Sequence, residues 1–222
     1  MKTFARDIIS FYSSLKPPQK IPKGISWLYP QQEEAVMRVV ESFFNKYYND
    51  NNTRRLIFGI NPGRFGAGIT GVTFTAARQL TNECRIEHPF QSRSELSAEF
   101  IYAMIKAYGG PKVFYSKFFV TAISPLGFVK NNVNLNYYDD PKLYKAVKPF
   151  IVECIRQQLK MNVDRNKTFC IGGDKNLKFF SNLNNEHNWF KEIIPLPHPR
   201  FIMQYRRKQQ EEFIRQYLTA LG

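Results

Sequence analysis

Cysteine is scarce in this chain, and what there is lies far apart: Cys84, Cys154 and Cys170, with no CxxC pair among them. An odd number without that spacing excludes a disulfide framework and argues against structural zinc or an iron–sulfur cluster, so reduced thiols are expected. Histidine is equally thin. His88, His187 and His198 stand apart rather than in the close pairs that grip a metal, so neither a metal site nor a cofactor is expected. No apolar run reaches the ~18 residues of a membrane span. The opening segment MKTFARDIISFYSSLKPPQK also lacks the unbroken apolar stretch of a secretion signal. A cytoplasmic protein is expected, nucleoid-associated if the source is a bacterium, and membranes are not among its expected partners.

Acidic residues are the other shortage. Eighteen Asp and Glu face 32 Lys and Arg, a formal net charge of +14. Such an excess attracts polyanions and makes nucleic acid the leading partner, although a basic surface also serves solubility alone. Three common signatures are missing as well. Gly63 and Gly68 are spaced for a nucleotide-hydrolysing phosphate loop, but Ile69 occupies the lysine position. No GxGxxG marks a dinucleotide site, and no GxSxG marks a serine nucleophile.

What is present suits an ordinary core. Hydrophobic residues make up 43% of 222, with 20 Phe and 12 Tyr, which fits one domain. Residues 1–222 are expected to form it as a monomer, with 1–25 supplying a short helix and a Pro-rich connection. Val36, Val40, Phe43 and Tyr47 recur at helical spacing, as do Leu96, Phe100, Met104 and Tyr108. Ser92 and Glu95 have capping-box spacing ahead of the second of these helices. Asp140-Pro141 opens a third helix that turns Leu143, Val147, Phe150, Cys154 and Ile155 inward. A last helix is expected from about Tyr205 to Leu221. Between the helices lie four short apolar runs: Leu56–Ile60, Phe118–Ile123, Thr168–Gly173 and EIIPL. The alternation predicts an α/β fold, a three-layer α/β/α sandwich around a mainly parallel four-stranded sheet. Ligands of such sheets sit outside the carboxyl ends of the strands. The Ser124-Pro125 turn, Gly172-Gly173 and PLPHPR would all gather there.

The segment GINPGRFGAGITGVTF, Gly59 to Phe74, follows the first strand and crowds five glycines into sixteen residues. Glycine is costly to order, so a cluster marks a tight turn or a ligand pressed against main chain. The polar groups left at this edge are Asn61 and His198. A carboxamide offers donor and acceptor on one plane and can hold a water. An imidazole N–H can stabilise a developing anion. The pair suits hydrolysis of an N-glycosidic bond, where an anionic base departs as water arrives. Taken singly, Asn-Pro-Gly is also a frequent turn, and Phe65 and Phe74 are also good core residues.

The frame GxNPGxFG…TGVxF in this segment, VFYSKFFVTAISPL at 113–126, HPR at 198–200 and the closing EEFIRQYLTALG resemble the uracil-DNA glycosylase superfamily, and within it the single-strand-selective monofunctional branch. The resemblance runs from about residue 20 to the end. It implies a base-excision-repair enzyme that hydrolyses uracil from DNA without metal or lyase step and leaves an abasic site. It also implies roles. Asn61 positions the water, His198 stabilises the leaving base, Phe74 stacks on the extruded base, and Ile60, Gly63 and Phe65 belong to the base pocket. Ala122 stands where the branch carries a base-reading asparagine. Ser124, two residues on, is the candidate substitute, and a roomier pocket admitting hypoxanthine or xanthine is expected. In the segment after His198, Arg200, Phe201, Ile202 and Met203 are candidate wedges between bases. Arg206, Arg207 and Lys208 are candidate phosphate contacts. A catalytically weak DNA-binding relative and an enzyme of free nucleotides remain the alternatives.

Overall fold

The computed structural model describes residues 3–93 and 95–222. Helix α1 (Phe4–Ser13) starts at Thr3, whose hydroxyl accepts the Arg6 amide. Then come β1 (Ile25–Leu28), α2 (Glu34–Tyr48) and β2 (Arg55–Gly59). Short α3 (Ala67–Thr70) and α4 (Ala77–Asn82) lead to α5 (Leu96–Ala107) and α6 (Pro111–Lys117). Strands β3 (Phe118–Ala122), β4 (Gly127–Lys130) and β5 (Val133–Leu135) follow, then α7 (Pro141–Gln158), β6 (Lys167–Ile171), α8 (Gly173–His187) and β7 (Glu192–Leu196). The chain closes with α9 (Pro199–Tyr205) and α10 (Gln210–Leu221).

Strands β3, β2, β6 and β7 lie side by side in that order, all parallel. β3, β2 and β6 are buried on both faces, as helix-covered parallel strands require, while β7 at the edge is half-exposed. Phe119 and Phe58 share one face; they meet Phe4 of α1 and Phe180 of α8. Phe118 looks the other way, onto Tyr108 and Phe114. Beyond it Phe100 of α5 packs on Tyr217 of α10. This is the three-layer α/β/α sandwich.

α1 is tied to the sheet by an unusual pillar. Arg54 is fully buried, with its guanidinium 4.7 Å from the ring centres of both Phe4 and Tyr48. It donates to Tyr115 O at 2.8 Å and to both carboxylate oxygens of Asp50. Hydrogen bonds from Arg54 hold the Asp50 carboxyl below its ordinary pKa.

Two helix starts differ from expectation. Glu95, not Ser92, caps α5: its carboxylate accepts the amides of Ser97 and Ala98. The closing segment is two helices rather than one, because Pro199 starts α9 directly behind His198 and a break at Arg206 precedes α10. Asp140 caps α7 as expected, and Leu143, Val147, Phe150, Cys154 and Ile155 are all buried.

A second, three-stranded antiparallel sheet, β1-β4-β5, was not foreseen. Its hairpin turns at Asn131-Asn132, both with positive φ (49° and 60°), the backbone that two-residue hairpins need. The flanking FVK and VNL with Asn-Asn between them are the signal that carries it. The hairpin lies against the glycine segment: a Cβ on Gly127 would sit 2.3 Å from Pro62 O.

Candidate active site

A cavity of about 410 Å³ opens at the carboxyl edge of the four-stranded sheet. The volume lies in the range of small-molecule pockets. Asn61, on the coil just past β2, and His198, just past β7, both line it, as do Ile60, Gly63, Phe65, Phe74 and Ala122. Residues 61 and 198 are far apart in sequence, and the parallel strands bring them together.

The glycines act here by making room. A Cβ on Gly59 would come within 2.9 Å of the Phe74 ring, and one on Gly68 within 2.6 Å of Gly63 O. Phe74 itself holds φ at +54°, a strained setting for a bulky residue. Its ring meets His198 edge-on at 6.3 Å.

Asn61 is more committed than its position suggests. Its Nδ2 donates to Leu135 O at 3.1 Å and Pro62 O at 3.3 Å, and its Oδ1 accepts Tyr137 N at 3.0 Å. Both amide hydrogens are spent, so toward a ligand the side chain can only accept, through the remaining Oδ1 lone pair.

His198 is the N-cap of α9: its Nδ1 accepts the Arg200 amide at 3.1 Å. A backbone N–H can only donate, so the ring proton must sit on Nε2. Burial, and behind it the Arg200 charge, pull the imidazole pKa down from 6.5 to about 4. The ring is therefore a neutral donor near pH 7. Tyr217 of α10 holds the approach to it by donating its hydroxyl to Pro197 O.

Several expected residues lie elsewhere. Ser124 is fully buried and donates its hydroxyl to Leu126 O at 2.7 Å, so it does not substitute for the asparagine absent at Ala122. The strand has already ended at Ala122, and the side-chain alternation does not carry on to residue 124. Ile202 and Met203 are buried, at 0% and 5% exposure, under the inner face of α9, so they are not free to enter DNA. A helix of period 3.6 must turn two adjacent residues of this stretch inward. Arg200 and Phe201 remain at the cavity rim, Phe201 at 46% exposure, while Arg206, Arg207 and Lys208 are exposed just beyond it. Arg207 is the least free of these, with its guanidinium 3.8 Å from Glu99.

The sequence reading missed other lining residues. Tyr205, 63% exposed, packs against Phe201 with ring centres 5.7 Å apart and planes tilted by 46°. Asn134, in β5, and Asn136, just past its end, also line the cavity. Asn134 accepts the Arg64 amide at 3.2 Å. Glu95 is the carboxylate among the described lining residues, and both its oxygens are engaged in capping α5. The three cysteines are buried and unpaired, with Cys170 pushed up to about 12 by burial.

A parallel sheet that joins an accepting amide and a neutral imidazole in one cavity, on a chain of charge +14, has the parts that a DNA glycosylase needs. The family model described as "Uracil DNA glycosylase superfamily" matches residues 45–222, and the chain belongs to that superfamily. Among solved structures it is similar to wild-type SMUG2 of Pedobacter heparinus, with 43% identity, a TM-score of 0.96, and coverage of 99% of this chain and 97% of that one. No curated protein sequence matches it. Among the described residues no helix is long and apolar enough to cross a membrane.

Proposed function

We propose that the protein is a monofunctional glycosylase that releases uracil, and also hypoxanthine and xanthine, from DNA and leaves an abasic site. The observation that carries this is Asn61 and His198 facing one cavity, with the His198 proton on Nε2. A nucleotide swings out of the strand, at least cost when unpaired or mismatched, and its base stacks on Phe74. The glycosidic bond stretches, negative charge moves onto the base, and Nε2–H of the neutral His198 stabilises it. Water held by the Asn61 Oδ1 adds to the anomeric carbon. No lysine is among the described residues lining the cavity, which supports an intact abasic strand over Schiff-base cleavage. The chemistry so written needs no metal.

Breadth toward deaminated purines follows from Ala122. Its methyl group cannot hydrogen-bond a base, and the Ser124 hydroxyl is engaged elsewhere. Base release from oligonucleotides carrying uracil, hypoxanthine, xanthine or a thymine mismatch tests both parts. Asn61→Ala and His198→Ala are each expected to slow uracil release by at least about 10²-fold. Near-normal rates in both remove the assignment, and purine-free activity removes the breadth.

A further inference from the structure

Asn61 is poorly equipped to hold a water alone. One Oδ1 lone pair is all it has left, whereas an ordered water needs two to four polar partners. The bonds that use up Asn61 end on Leu135 O and Tyr137 N, the chain on either side of Asn136. The Asn136 amide donates to Asp139 Oδ2 at 2.8 Å, and its carbonyl accepts Asp139 N at 3.0 Å. Next to it Tyr137 is fully buried with its hydroxyl on Asn176. The backbone at Asn136 is thus fixed on every side. Its side chain, by contrast, lines the cavity and makes no hydrogen bond among the described residues.

We propose that Asn136 is the second holder of the hydrolytic water, beside Asn61. This rests on the glycosylase reading above. The water donates one O–H to Asn61 Oδ1 and the other to Asn136 Oδ1, which aims its lone pair at the anomeric carbon. The water oxygen bonds to that carbon as the carbon–nitrogen bond breaks, and the bonding pair leaves on the base. Amide oxygens are too weakly basic to keep the surplus proton, which passes to solvent, and the released base takes up a proton there.

The test compares single-turnover release from single-stranded oligonucleotides by the wild type, Asn136→Ala and Asn136→Asp. Binding to an oligonucleotide with non-hydrolysable 2′-fluoro-deoxyuridine is measured beside it. Asn136→Ala is expected to slow release by about 10²-fold, as a misplaced reactant does. The factor should be the same for every base the wild type releases, with unchanged binding to the fluoro analogue. Asn136→Asp keeps two acceptor oxygens. It is expected to retain activity and to add a limb to the pH profile where the new carboxyl ionises, which a purely structural role would not produce. An unaffected Asn136→Ala overturns the proposal. So does a loss that differs between bases and weakens binding, since that describes a base reader. An Asn136→Asp as slow as Asn136→Ala and lacking the new limb overturns it too. A wild type that releases no base overturns the glycosylase reading itself, a result distinct from all of these.

Discussion

His198 shows how much chemistry one hydrogen bond can fix. By accepting Arg200 N, its Nδ1 sets the tautomer and caps a helix at once. Its lowered pKa also makes stability depend on pH. The unfolded chain takes up a proton near pH 6.5, while the folded chain resists it until about 4. The unfolded state binds more protons in that window, so the His198 contribution is whole above 6.5 and is lost as pH falls toward 4. Urea midpoints across this range should fall more steeply for the wild type than for His198→Asn, which keeps a capping oxygen. Parallel curves would show that the ring titrates normally. Asn61 and His198 were legible because a long glycine frame and an HPR triplet pointed to them. The bonds that exhaust Asn61 were not, since they run to residues 135 and 137, and nothing local announces so distant a partner.

Elements explain the remaining successes and failures. Strands β2, β3 and β6 were readable because a buried parallel strand is a short, dense apolar run between helices, and β7, though half-exposed at the edge, keeps an apolar Ile193-Ile194 pair. The hairpin sheet escaped because its strands are short and half-exposed, so composition marks them weakly. α9 was misread for a related reason: seven residues span two turns, too few for a periodicity to separate Phe201 from Ile202. The hairpin matters more than its size suggests, because its first residue bears on the loop that carries Asn61. Gly127→Ala would set a methyl 2.3 Å from Pro62 O. It is expected to cost about 1–3 kcal/mol in denaturant unfolding and to slow base release by displacing Pro62 and Asn61. Full activity with unaltered stability would show that the two segments yield to each other freely.

For the whole molecule, the +14 charge was the plainest sign of a polyanionic partner. Each phosphate contact on a single strand contributes about 0.7 to the slope of log affinity against log salt. Arg206→Gln combined with Lys208→Gln should therefore flatten that slope by about 1.4. Arg207→Gln should do less than either, because Glu99 already offsets its charge. An unchanged slope in the double variant takes both residues out of the contact surface. The pillar at Arg54 bears on how the chain is made. α1 leaves the ribosome long before Phe119, the aromatic neighbour that Phe4 meets at 5.6 Å. At roughly 5–20 residues per second, the delay is on the order of ten seconds. Through that interval the newborn helix is covered by α2, whose Tyr48 and Phe44 stack on Phe4 and Tyr12, while the side that meets Phe119 stays open, a natural target for holding chaperones until β3 emerges to receive it.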